Sequence, residues 1–331
     1  MPGKRAFEEQ LAALEALRHQ PDEARIVPLR KALAHKNNFI VAKAADLFRD
    51  FNLTSLTTEI LTAFDRFFDD PVKTDPQCWA KNALSRALAA IEHQDEEVFL
   101  RGMRHIQMEP VWGGQSDTAG TLRATCALAL VQCRSLLEVD LLAHLVELFA
   151  DKDKAVRVEA VRAVEQVGSS SASLLLRLRA KLGTDEPEVL GACYGGVLRI
   201  EGARALPWVE RFLETGDDAA AEAALAIAGT HSEAGFSALQ KCFDNSSGRM
   251  RIKDPWFLSV LLSAIALTRQ DAAIEFLLDL VGKDSLDAEP AMEALLRSMP
   301  SSEVVKRVEK LVASNPRLAR VFAAHQKASS R

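Results

Sequence analysis

Tyrosine occurs once in this chain, as Tyr194, and aromatic residues make up only 6% of its 331 residues; glycine (16) and proline (12) are also sparse. A β-rich fold draws on aromatic side chains and frequent Gly/Pro turns, so the composition argues against one and favours helices packed through Ala, Leu and Val. No strand is expected. Apolar runs never reach the ~18 residues that a membrane span requires, and the opening MPGKRAFEEQLAAL turns acidic at Glu8 and Glu9, unlike a signal sequence. No membrane insertion is expected, and a cytoplasmic location is. Cysteines 78, 126, 133, 193 and 242 are odd in number and lack any CxxC, which reads as small core residues in a reducing compartment. A basic excess is missing too. Lys+Arg number 41 against 46 Asp+Glu, a net charge of −5, with −4 up to Gly168 and −1 beyond it. Phosphate neutralisation supplies most non-specific nucleic-acid affinity, so nucleic-acid binding is not favoured.

What the chain does have is a repeat. Residues 141–167, LLAHLVELFADKDKAVRVEAVRAVEQV, read as an apolar-periodic helix, a short charged turn and a second apolar-periodic helix. Asp151 precedes Arg157 by six residues in the pattern D-x-D-x-x-V-R-x-x-A. The same offset separates Asn37 from Lys43, Asp75 from Lys81, and Asp117 from Arg123. With these cations as register marks, second helices are expected near Ile40, Cys78, Gly120 and Lys154, and weaker copies near Pro187, Asp218, Asp254, Asp287 and Pro316. That makes roughly nine helix pairs.

An Asp in the turn and an Arg early in the second helix resemble the HEAT repeat, and the chain is similar to bacterial HEAT-like proteins, a group that includes bilin-lyase relatives. The resemblance rests on residues 23–167; beyond 171 it rests on period alone, where an armadillo-like repeat looks the same. It implies an all-α fold, a right-handed α-solenoid of antiparallel helix pairs forming one domain over residues 1–331. Within it, residues 5–19 form an N-terminal capping helix, 22–168 carry the ladder-bearing repeats, 171–300 the degenerate ones, and 302–325, with Lys306, Arg307, Lys310, Arg317 and Arg320, a C-terminal capping pair. Each turn residue is expected to accept hydrogen bonds from backbone or from its basic partner, the stacked pairs forming a structural ladder rather than a ligand contact. The ladder should stop halfway, because Leu190 stands where Arg157 would.

A search for chemistry finds none to assign. HEAT-type iron hydroxylases carry repeated His-Glu pairs, and here no His is followed by Glu; His19, His35, His93, His105, His144, His231 and His325 show no ligand spacing. Trp112 with Asp117 loosely resembles the Trp and Asp of HEAT-like DNA glycosylases, without their basic helices. Gly113-Gly114 and Gly195-Gly196 are not followed by Lys-Ser or Lys-Thr, and there is no GxSxG. No catalytic residue, metal or cofactor is expected. The expected role is a non-enzymatic scaffold or adaptor for a protein or peptide partner, with a nucleic-acid-binding solenoid connected with DNA repair, or an accessory to a lyase-type enzyme, as alternatives. The oligomeric state is not legible.

Two surfaces are candidates for that partner. In HEAT-like stacks the second helices line the concave side, and the position five after each ladder cation gives Phe48, Arg86, Leu128, Arg162 and Gly195, with Leu225 next. These residues either form a groove or simply pack against the neighbouring repeat. The other candidate is the edge formed by long intra-repeat turns, FDDPVKTDPQC and residues 109–118, which offer Asp69, Asp70, Trp79, Trp112 and Gln115. Trp79 and Trp112 either share that exposed edge or fold inward as plugs. A third insertion, DNSSGRMRIKDPW, adds a possible basic contact through Arg249, Arg251 and Lys253.

Overall fold

In the computed structural model, residues 2–246, 254–283, 285–298 and 301–329 are described, with side chains from residue 7 to residue 327 of those ranges. Arg249, Arg251 and Lys253 lie outside the described residues. The chain gathers into two compact units, Met1–Val167 and Gly168–Arg331.

The first unit opens with α1 (Pro2–Ala16), which runs on into a 3-10 turn over Leu17–His19. Then follow α2 (Asp22–Leu33), α3 (Asn38–Asp50), α4 (Thr57–Arg66), the short α5 (Pro71–Thr74), α6 (Trp79–Ala90), α7 (Glu96–Met103), the strands β1 (Met108–Val111) and β2 (Gly114–Asp117), α8 (Gly120–Leu130), α9 (Glu138–Glu147) and α10 (Lys154–Val167). Helices pair as α2 with α3, α4 with α6, α7 with α8 and α9 with α10, while the second members α3, α6, α8 and α10 pack in succession and α1 lies against α3. The reason is in the sequence. On α3 the residues Ile40, Val41, Ala44, Ala45, Leu47 and Phe48 recur at helical spacing and are all buried, each large aliphatic contributing about 1.5–3 kcal/mol.

The second unit contains α11 (Ser170–Leu182), α12 (Pro187–Glu201), α13 (Leu206–Glu210), α14 (Asp218–Ala228), α15 (Glu233–Ser246), α16 (Pro255–Leu267), α17 (Asp271–Gly282), α18 (Ala288–Arg297), α19 (Ser302–Val312) and α20 (Pro316–Ser329). Its helices pair in the same manner, and α12, α14, α16, α18 and α20 pack in succession. Small side chains allow this: Ala220, Ala223 and Ala224 on α14 are fully buried. Tyr194 stacks beside Phe212 with centroids 4.6 Å apart. At the chain's end Arg307 holds Glu275 at 2.6 and 2.7 Å. The second helices begin within two residues of the starts expected from sequence.

The expectation of no strand is wrong at one place. β1 and β2 form an antiparallel hairpin with Val111 opposite Gly114 and Met108 opposite Asp117. Its two-residue turn, Trp112-Gly113, needs a positive φ at the second corner, and Gly113 supplies it at +87°. The rest of the described fold is helix and connecting turns. Among the described residues no helix is long and apolar enough to cross a membrane.

Candidate interaction surface

The intra-pair turns of the first unit are joined by a chain of polar groups, starting at Asp75. Backbone at Asp70, Gln77 and Cys78 takes positive φ values of 48°, 58° and 54°, and this contorted segment tucks Asp75 completely out of water. Its carboxylate accepts from the backbone N–H of Ala80 (2.8 Å) and Lys81 (3.0 Å), from the Lys81 ammonium (3.0 Å) and from the Asn38 amide (3.0 Å). Lys81, equally buried, also donates to the Phe67 carbonyl at 3.1 Å. Such saturation is what makes a buried ion pair tolerable, because desolvating each ion alone costs several kcal/mol.

The chain continues under the hairpin. Gln107 donates to the Asp75 carbonyl (2.9 Å) and to Glu109 (2.7 Å), and Glu109 also accepts from the Gln77 N–H (2.6 Å) and the Thr118 hydroxyl (2.6 Å). Asp117 accepts from the N–H groups of Gln107 and Ala119, both at 3.0 Å, and from Arg123 at 2.6 Å. Arg123 then reaches forward to Asp151 through two bonds of 2.7 and 3.0 Å and donates to the His105 carbonyl at 3.0 Å.

The ladder therefore differs from its expected form at both ends. Asn37 caps α3, accepting from the N–H of Phe39 (3.0 Å) and Ile40 (3.2 Å), while Lys43 ion-pairs with Glu15 of α1. Asp151 gives its carboxylate to Arg123, and Arg157 donates to the backbone carbonyls of Asp151 (2.6 Å) and Lys152 (3.2 Å). Helix position explains the first difference. Lys43 is the sixth residue of its helix, whereas Lys81 is the third and Arg123 the fourth of theirs; a lag of two or three residues at roughly 100° each turns the side chain to another face.

Environment sets the protonation states. Burial pushes the Glu109 carboxyl up, but the hydrogen bonds from Thr118, Gln77 and Gln107 outweigh it and leave the group below its ordinary value. Asp117 is lowered in the same way: burial opposes, and the two backbone N–H groups with Arg123 prevail. Burial lowers His105, favouring the neutral ring. It raises the Cys78 thiol to about 11 and the Cys193 thiol to about 12, so both stay protonated and act as packing groups.

Around this polar network several large apolar side chains are exposed. Trp112 at the hairpin tip is fully exposed, and Trp79 is 48% exposed with its ring 5.2 Å from that of Phe39, itself exposed. Met108, Val111, Ile106 and Val72 are exposed as well. Trp112 does not plug the core, since its side chain is fully exposed, while Trp79 is about half covered, its indole N–H donating to the Gln77 side chain at 3.3 Å. Contacts between neighbouring turns, Asn38 to Asp75 and Gln77 to Glu109, show that these segments are contiguous. Asp69 and Asp70 are exposed beside Val72, and Gln115 is exposed on β2. Sequence reasoning missed Phe39, Ile106 and Met108 and did not single out Val111 within residues 109–118; the available signal was large apolar residues at turn positions, where polar ones are the norm.

The candidate column is only partly exposed. Phe48 lies wholly within the core at 0% exposure, a consequence of the same lag at Lys43. Leu128 is half-buried and Arg86 is exposed, while Arg162 is exposed and ion-paired with Glu159. In the second unit Gly195 is buried and Leu225 exposed. Gly195 contributes there to an open depression of about 370 Å³, also lined by Leu198, Arg199, Leu206, Thr230 and Ser232. The Thr230 and Ser232 hydroxyls bond each other at 2.8 Å and serve the local turn. Among the described residues no group of three His, Cys, Asp or Glu side chains is arranged to hold a metal ion. Compared with known proteins, the chain matches no family model and no curated protein sequence.

Proposed function

We propose that this protein is a non-enzymatic α-solenoid adaptor of the HEAT-like kind, working in a reducing cytoplasm, and that it engages a protein partner through the turn edge of its first unit. The observation that carries the reading is the pairing of exposed large apolar residues with a hydrogen-bonded polar network beneath them. Trp112, Met108 and Val111 are presented to solvent by a hairpin whose base is tied down through Gln107, Glu109 and Thr118. Surface apolar residues scattered singly need no explanation, but a group of them carried by one short hairpin and the turns bonded to it supports an interaction site, and Trp is enriched among residues that dominate binding energy. Rigidity matters because a preorganised surface loses less entropy on binding. The charges of the hairpin itself, Glu109 and Asp117, are both consumed inward, leaving a face suited to an apolar protein contact rather than to phosphates.

The test is affinity capture from native extract with the wild-type chain and with a Trp112→Ala/Met108→Ala variant of unchanged melting temperature. The wild type is expected to retain a specific protein that the variant loses. If the variant captures the same protein equally well, the turn edge is not the binding surface.

A further inference from the structure

The hydrogen-bond pattern of the hairpin specifies the shape of what binds there. The Thr118 N–H donates to the Gln107 carbonyl at 2.9 Å, which marks Gln107 and Thr118 as a hydrogen-bonded pair. In an antiparallel ladder such pairs alternate with wide pairs. By the register, Glu109 with Ser116 and Val111 with Gly114 are then bonded, and Met108 with Asp117 and Pro110 with Gln115 are wide. Residues of wide pairs turn their backbone N–H and C=O away from the partner strand. On β1 that outer edge is blunted, because Pro110 has no N–H to offer. On β2 it is open: Gly114, Gln115 and Ser116 are all exposed, and Gln115 directs both a donor and an acceptor outward.

Resting on the reading of this edge as a protein-binding surface, we propose that the partner contributes an extended peptide segment that adds as a third strand to β2, pairing with the backbone of Gln115 and packing an aromatic or long aliphatic side chain on Trp112. A strand edge is complemented by extended backbone; a helix has already satisfied its own amide groups and offers Gln115 nothing. Because Glu109 and Asp117 spend their charge on Thr118, Gln107 and Arg123, the segment is uncharged where it meets the hairpin. A second copy of this chain is disfavoured as the occupant. Four residues of strand span only ~14 Å, and pairing over that length falls well short of the ~1,200 Å² buried by stable interfaces.

The experiment pans random linear peptides displayed on phage against the whole chain and compares affinities of the selected peptides for three variants. Gln115→Pro removes the outward N–H without touching a bond internal to the hairpin, and protection of the Thr118 amide against exchange reports that the hairpin is intact. Gln115→Ala keeps the backbone. The expected pattern is loss of binding in Trp112→Ala, roughly five- to tenfold weakening in Gln115→Pro and little change in Gln115→Ala. Independently of the variants' folding, N-methylation of alternate amides in the peptide is expected to abolish binding in one phase and spare it in the other. If Trp112→Ala loses the peptides while Gln115→Pro and N-methylation leave affinity intact, strand addition is overturned and the apolar edge survives as a site of another kind. Peptides that bind the Trp112→Ala chain as tightly as wild type overturn both readings. Tighter binding by helix-stapled peptides, or a wild-type dimer that Gln115→Pro converts to monomer, overturns the extended partner strand.

Discussion

Turns in the two units start the same kind of helix with local caps, but those of the first unit also reach one another. Ahead of α6 and α10 the turn residues Asp75 and Asp151 bind groups of neighbouring turns as well as their own, and through Asp117 and Arg123 between them Asn38, Asp75, Gln107, Asp117, Arg123 and Asp151 form one connected series. In the second unit Asp217 and Asp254 serve their own helices. Asp217 accepts from the Ala220 N–H at 2.9 Å, Asp254 accepts from the Trp256 N–H at 2.7 Å, and where Arg157 stands in the first unit Leu190 is buried in the second. A cap of the second kind stabilises one helix end. A series of the first kind fixes successive turns against one another, and that is the condition for presenting side chains from several turns as one surface.

The largest effect should come from breaking the series at its most buried point. Asp75→Ala leaves the Lys81 ammonium, the Asn38 amide and two backbone N–H groups without their acceptor, and is expected to cost about 3–5 kcal/mol, read by urea unfolding and by faster amide exchange over residues 66–118. Asp217→Ala removes only a cap, at about 0.5–2 kcal/mol. Equal costs in the two variants would erase the distinction drawn between the units.

Acid should loosen the first unit's hairpin. His105, Glu109 and Asp117 all have folded values below their ordinary ones of 6.5, 4.5 and 3.8, so each contributes stability that is complete above the ordinary value and is lost as pH falls toward the folded one. Exchange at the Gln107 and Thr118 amides, corrected for intrinsic rate, is expected to begin rising below pH 6.5 and to rise again below 4.5. A flat profile from pH 7 to 3 would show that these groups do not hold the hairpin. Gly113→Ala, which forces an L side chain to φ +87°, is expected to cost about 1–2 kcal/mol locally. Smallest of all, Trp112→Ala should change stability by no more than about 0.5 kcal/mol, since the side chain is fully exposed; a larger loss would mean that it packs on the protein itself.

Much of the helical framework was legible because helix starts carry local chemistry. Asn37, Asp217 and Asp254 are side-chain caps, and Pro187 and Pro255 sit in first turns. The hairpin was not legible. Its strands are four residues long, Pro110 interrupts one of them, and Trp-Gly is not among the turn dipeptides that announce a hairpin. The six-residue spacing pointed to Asp75 with Lys81 and to Asp117 with Arg123, both of which are in contact. It was silent about Asn38, Gln107 and Glu109, whose roles depend on which turns become neighbours in space. For the same reason the exposed edge was visible only in part: Trp112 and Trp79 drew attention by type, while Met108 and Val111 need the pleat to show where they face.

One bond has a consequence for how such a chain changes over generations. Helix pairs that pack in succession can be lost or gained as whole cassettes, and a cassette is exchanged most readily when its borders are chemically neutral. Arg123 is held by Asp117 from its own turn and by Asp151 from the next, so excising or duplicating the segment that separates them strands a guanidinium or a carboxylate away from water. Turns such as those at Asp217 and Asp254 impose no such condition. Removing the cassette between Asp117 and Asp151 is thus expected to cost more than removing one bordered by a turn whose acid only caps its own helix.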